Sequence, residues 1–350
     1  MKRRHYVTIA GLLLCITLWW ILQPDNHNPT YKGKRLSVWL QGYDSGDQHE
    51  RAITDEVVRQ IGTNAVSFLL HELGVNDSAL KTKLVHLASR QRIIKLPYTH
   101  PAVRRERADS ALKALRPQAK NVAPVLVHVY ESSTDGSSKT KLLVIGLLGS
   151  MGPDAKMATP LLLHETANTD ARIRQQAIWA LGQIRAAPES VVPALIHALR
   201  DSDVRVAASA ARGLANYGRA AQEAVPVLQQ LVKEEEQKPI VDRNSVPHRE
   251  LHIAASDAVS WIKDASSPET VVPGLIAALD DADLRVRESA ALRLRRFGPE
   301  AKAAVPRLLE LLEQENRLLK ETPDSLSHRA MHGALTAALT AVTAEKSPAR

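Results

Sequence analysis

The stretch VVPALIHALRDSDVRV at 191–206 returns as VVPGLIAALDDADLRV at 271–286, eighty residues on, with its apolar and acidic positions held in place. Proline marks the register of the echo. Pro124, Pro160, Pro193, Pro226, Pro273 and Pro306 stand 36, 33, 33, 47 and 33 residues apart, and the one long interval holds the charged run KEEEQKPIVDRNSVPHRE that begins at Lys233. A unit of about 33 residues cannot bury an apolar face alone, so neighbouring copies must stack.

Within each copy the spacing is helical. In DVRVAASAARGLANYG (203–218), Val206, Ala210, Leu214 and Tyr217 recur at three- and four-residue steps, Asp203 is placed to cap the start, and Gly218 to end the helix. Asp170 and Asp283 take the same capping place elsewhere, and Gly152 and Gly298 the same terminating place. A second helix follows with its proline expected in the first turn, where no intrahelical N–H is lost. Composition agrees: 44% apolar, 24% charged and only 4% aromatic residues in a 350-residue chain describe a core of small and aliphatic side chains between helices.

The N-terminus has a different character. MKRRHY is followed by an apolar run from Val7 to Leu22, with Trp19 and Trp20 near its end and no small-residue cleavage pattern after it. Such a run rises about 24 Å as a helix, the lower edge of a bilayer span. It is expected to act as a signal anchor, or as a signal peptide if cleaved. The basic flank then leaves the rest of the chain on the extracytoplasmic (periplasmic) side, or secreted. The single cysteine, Cys15, lies inside this run, which excludes an intrachain disulfide and a cysteine-based metal site.

GPEAKAAVPRLLELL (298–312) and DADLRVRESAALRL (281–294) resemble the HEAT-like repeat family, in its PBS-lyase-type variant and its exported or membrane-anchored bacterial form. The resemblance implies an all-α fold, an α-solenoid of about seven stacked hairpins near 50–75, 102–131, 138–167, 170–200, 203–234, 250–280 and 283–315, closed by a helix at 327–344. The domain plan expected from it is a membrane-directed segment at 1–23, a linker and capping helix at 24–48, the solenoid at 49–345 with insertions near 76–101 and 233–249, and a tail at 346–350. The first unit departs from the pattern, with Ser67 in the proline's place. YKGKRLSVWLQGYDSG (31–46) resembles the capping segment that precedes such repeats in exported proteins.

Four histidines share one register, four residues after the proline position: His71, His128, His164 and His197. On stacked second helices they would form a ladder, where Gln230, Ala277 and Glu310 stand in the later copies. A ladder spreads side chains apart, whereas a metal needs its ligands to converge, so no metal site is expected. The row is instead a candidate partner-binding face. A second candidate is the basic segment 81–120, with 11 Lys and Arg against Glu106 and Asp109, including Arg92, Arg104 and Arg105.

His-Glu pairs at 49–50, 71–72 and 164–165 fall outside the matched first helices that carry such pairs in the di-iron hydroxylases of this repeat class. No phosphate-binding loop, nucleophile elbow or catalytic triad spacing is legible. The expected function is therefore a non-catalytic protein-binding scaffold in the cell envelope, using a concave helical surface, with no catalytic residue, cofactor or nucleic-acid partner. A HEAT-like repeat enzyme of the bilin-lyase or oxidoreductase type is the alternative.

Overall fold

The computed structural model describes residues 28–74, 99–132, 138–243, 245–322 and 325–344. The apolar run 7–22, Arg92, residues 76–98 of the first insertion and the tail 346–350 lie outside the described residues. Among the described residues no helix is long and apolar enough to cross a membrane. The chain divides at Ile184 and Arg185 into two compact units.

The first unit opens with an element absent from the all-α expectation. Thr30–Tyr31 (β1) and Lys34–Arg35 (β2) pair antiparallel, Thr30 opposite Arg35, around Lys32 and Gly33, both at positive φ (48° and 74°). Two left-handed residues in a two-residue loop match the twist of a hairpin. The short helix α1 (Leu36–Trp39) follows, and its Trp39 indole donates to the Tyr31 carbonyl at 3.1 Å.

Next come α2 (Gln48–Ile61), α3 (Val66–Gly74), α4 (Pro101–Ala114), α5 (Ala119–Ser132), α6 (Ser138–Ser150), α7 (Thr159–Glu165) and α8 (Ala171–Ile184). Asp47 caps α2 by accepting from the His49 N–H at 2.8 Å. Gly62 and Gly152, at φ 61° and 62°, end α2 and α6 and lead into 3-10 turns. Helices α6 and α8 lie in direct contact: a Cβ added at Gly149 would come within 2.9 Å of the Ala180 Cα.

The second unit holds α9 (Pro188–Ala198), α10 (Val204–Tyr217), α11 (Val225–Gln237), the single turn α12 (Ile240–Arg243), α13 (Val246–Ser266), α14 (Pro268–Ala278), α15 (Leu284–Phe297), α16 (Val305–Glu321) and α17 (Leu326–Thr343). Asp203 and Asp283 cap α10 and α15, accepting from the Arg205 and Arg285 N–H groups at 2.9 Å each. Gly218 and Gly298 end those helices at φ 53° and 56°. Val206, Ala210 and Leu214 are fully buried, and Ala207 and Ala208 pack on Leu251 of α13. Small side chains on α10 let α13 approach closely, and each buried leucine contributes about 2 kcal/mol.

Two details depart from the sequence reading. Proline lies in the first turn of α7, α11 and α16, but Pro124, Pro193 and Pro273 lie inside α5, α9 and α14. In α9 and α14 the cause is local, because Pro188 and Pro268 occupy the first turn and start the helix five residues earlier. The charged run from Lys233 is also helical: it extends α11, forms α12 and begins α13. Consequently the eighty-residue echo is longer than the quoted stretch, and α9, α10, α11 and α13 recur without a gap as α14, α15, α16 and α17.

Candidate functional site

The four histidines of the common register all sit on second helices with exposed side chains. His71 lies in the last turn of α3, His128 on α5 and His164 on α7 in the first unit, while His197 takes the same place on α9 in the second. Their neighbours toward the core differ. His164, 85% exposed, holds Nδ1 at 3.2 Å from Glu165 Oε1, and His71, 58% exposed, holds Nδ1 at 3.8 Å from Glu72 Oε1. His128 and His197 precede Val129 and Ala198 instead.

The glutamates beside them are the unexpected feature. Glu72, Glu165, Glu235 and Glu315 are all buried, at 5% exposure or less, each on the C-terminal part of a second helix. A carboxylate is tolerated there only when donors satisfy it. Glu72 receives a bidentate pair from Arg104 of α4. Glu235 receives Lys238 Nζ at 2.6 Å and faces His248 Nδ1 of α13 at 2.8 Å. Glu315 faces His328 Nδ1 of α17, also at 2.8 Å, the same pair eighty residues on. In each of these three cases the buried pair ties a second helix to a helix that follows it in the chain.

Glu165 is satisfied differently. It accepts from Asn168 Nδ2 at 2.6 Å and faces His164, with the Tyr130 hydroxyl and the Lys141 ammonium nearby. Burial pushes its carboxyl up, but the polar hydrogens of Asn168, Tyr130 and His164, with Lys141, outweigh burial and hold it below the ordinary carboxylate range. The buried Tyr130 hydroxyl makes no hydrogen bond of good geometry, and burial together with Glu165 pushes its ionisation up, so it stays neutral. A carboxylate held ionised in this way is a poor proton donor and a weak base.

Among the described residues of the basic segment, two arginines are held in ion pairs. Arg104 pairs with Glu72, and Arg107 makes a bidentate pair with Asp44 that holds Asp44 below its usual range. Exposed Arg105 turns its Nε to the Pro101 carbonyl at 3.2 Å. No cluster of three or more His, Cys, Asp or Glu able to hold a metal occurs among the described residues.

The second unit has a groove of about 550 Å³ between α13 and α15. Arg296 stacks 4.0 Å above the Trp261 ring, which meets Phe297 edge-on at 5.0 Å, and burial lowers the Arg296 pKa. Arg293 pairs with Asp264, and Asp257 and Glu288 add carboxylates to the same walls. The groove thus balances its own charge.

The sequence carried a signal for the buried pairs that periodicity does not register. HRELH at 248–252 and HRAMH at 328–332 sit thirteen residues after Glu235 and Glu315, and repeat at the eighty-residue offset.

Residues 159–245, from α7 to the residue before α13, match the family of HEAT repeats. No curated protein matches the chain. Among solved structures, an engineered protein from a structural genomics consortium is similar at 20% identity over 62% of this chain and 96% of its own, with a TM-score of 0.31. A second engineered protein from that consortium shows 18% identity over 88% and 89%, with a TM-score of 0.34. Importin beta shows 15% identity over 88% of this chain and 44% of its own, with a TM-score of 0.36.

Proposed function

We propose that the protein is a non-catalytic scaffold that binds another protein through the exposed faces of its second helices. One observation carries the reading: the polar chemistry of those helices is divided between inside and outside. Glu72, Glu165, Glu235 and Glu315 are buried and occupied by donors of their own or the next hairpin, while His71, His128, His164 and His197 stand exposed at one register. Repeated helices whose carboxylates are tied into the fold offer a surface, and repeat arrays use such surfaces for binding. The HEAT match over 159–245 supports the same reading.

We place this scaffold in the cell envelope. The basic opening MKRRHY and the apolar run 7–22 support a membrane anchor with residues 24–350 on the extracytoplasmic side. A C-terminal alkaline phosphatase fusion is expected to be active, and a fluorescent-protein fusion dark.

For the binding face, in-cell crosslinking is compared between the wild type and a variant carrying alanine at positions 71, 128, 164 and 197. Recovery of the crosslinked partner is expected to fall about tenfold with only a small drop in the thermal melt, since the four side chains are exposed and Glu165 keeps Asn168 and Lys141 when His164 is lost. Equal recovery from both proteins, or turnover of a small molecule by the pure protein, contradicts the reading.

A further inference from the structure

We infer that the first unit carries a docking groove for an acidic amphipathic helix of a partner protein, set between the first helices α4 and α6. The groove does not involve the second-helix histidines, so either assignment can fail without the other.

The starting point is the sequence of α6, SKTKLLVIGLLGS, which from Leu142 to Gly149 is apolar around its whole circumference. A helix of that kind is normally covered on every side. Val144, Ile145, Leu148 and Gly149 are buried, and α6 runs along α8. Leu142, Leu143 and Leu147 on the remaining face are only half-buried.

Among the described residues no helix covers that face, since α4 packs along α3 and scarcely meets α6. The gap is a groove of about 460 Å³ with the leucines of α6 and the buried Leu112 of α4 in its walls. It follows α6 from Lys139 to Ser150, about 16 Å at the helical rise, or three turns of a guest helix.

Its rim sets the charge of the guest. Lys113, Arg116 and Lys139 line the groove against one carboxylate, Asp109, which is already bound to Lys113 at 2.6 Å. Lys139 donates to the neutral Gly74 carbonyl at 3.0 Å. An apolar floor with a cationic rim complements leucines at i, i+3, i+4 and i+7 flanked by Asp and Glu. A second copy of this chain, with a net charge of +8, is a poorer guest.

Geometry separates a helix from a lipid chain. An acyl chain needs enclosure of most of its surface, and an open trench leaves it half in water. An amphipathic helix needs cover on one face only.

The test uses the purified full-length chain and two labelled peptides of about 14 residues, both with a leucine stripe, one with glutamate and one with lysine at the other positions. The glutamate peptide is expected to bind, more weakly as salt rises, and the lysine peptide not to bind. Its affinity is expected to fall about tenfold in Lys113→Glu/Arg116→Glu and in Leu143→Ser. Both charge changes are at exposed positions, so that variant reports on the rim even where Leu143→Ser fails to fold. Four results overturn the inference: no binding of the glutamate peptide, equal binding of the lysine peptide, unchanged affinity in the charge-reversed variant, or a sedimenting dimer that Arg116→Glu dissociates. Hydrogen-exchange protection of Leu142–Leu147 by phosphatidylglycerol vesicles and not by the peptide assigns the groove to lipid and also overturns it.

Discussion

Glu165 shows how one buried side chain couples the second-helix face to the core. Its carboxyl is held below the ordinary range, so it releases its proton more readily folded than unfolded. The stability this gives is present above the unfolded value and is lost as pH falls through the folded one. In urea titrations the wild type is therefore expected to lose stability between about pH 5 and pH 3, and Glu165→Gln to show a flatter profile over that window. At neutral pH the variant is expected to be less stable by about 1–3 kcal/mol, because the amide cannot serve Asn168, His164 and Lys141 as the carboxylate does. Parallel profiles for the two proteins would show that the cluster is not electrostatically coupled to folding. His164 at this site was legible in the sequence as one member of a register. Its role beside Glu165 was not, because the two are adjacent in sequence and only packing decides that one is buried and the other exposed.

At the scale of the element, the repeat is written in caps and terminators. Asp203, Asp283, Gly218 and Gly298 occupy the roles their spacing predicts, since a cap acts on N–H groups two residues away and a positive φ is a property of the glycine's own backbone. Glycines at different places in one copy should then respond in opposite directions. Gly298→Ala, at φ 56°, is expected to cost about 1–2 kcal/mol. Gly274→Ala, inside α14 with open space around its Cβ position, is expected to stabilise by about 0.5–1 kcal/mol. Thermal melts of the two variants shifting the same way would contradict this account of the hairpin. The prolines were less legible: Pro188 and Pro268 start α9 and α14, and Pro193 and Pro273 are carried inside them at the loss of one N–H bond each, so they mark the register without marking the helix start. The β1–β2 hairpin escaped for a similar reason, because two-residue strands show no alternation and only Lys32-Gly33 announces the turn.

Across the second unit the duplicated block closes on α17. Helix α17 covers α15 and α16 with Met331, Ala334, Leu335 and Ala338 buried, and supplies His328 to Glu315. Truncation before Leu326 uncovers Leu294 and Phe297 and strands a buried carboxylate. Hydrogen exchange in α15 and α16 is expected to quicken by more than about tenfold in the truncated chain. Unchanged protection there would show that the last helix is dispensable.

The repeat period, the helical hairpins, their caps and the shared register of the four histidines are legible in the sequence, because each is a spacing along the chain. Only the tertiary structure decided that Arg104 and Arg107 are spent on Glu72 and Asp44, that Glu235 and Glu315 are buried against histidines of the next helix, and that α4 and α6 part to leave an apolar groove. Those partners lie 13 to 63 residues apart in sequence. Whether a charge is paired or free depends on which faces meet and how far water is excluded between them, and neither is set by local periodicity.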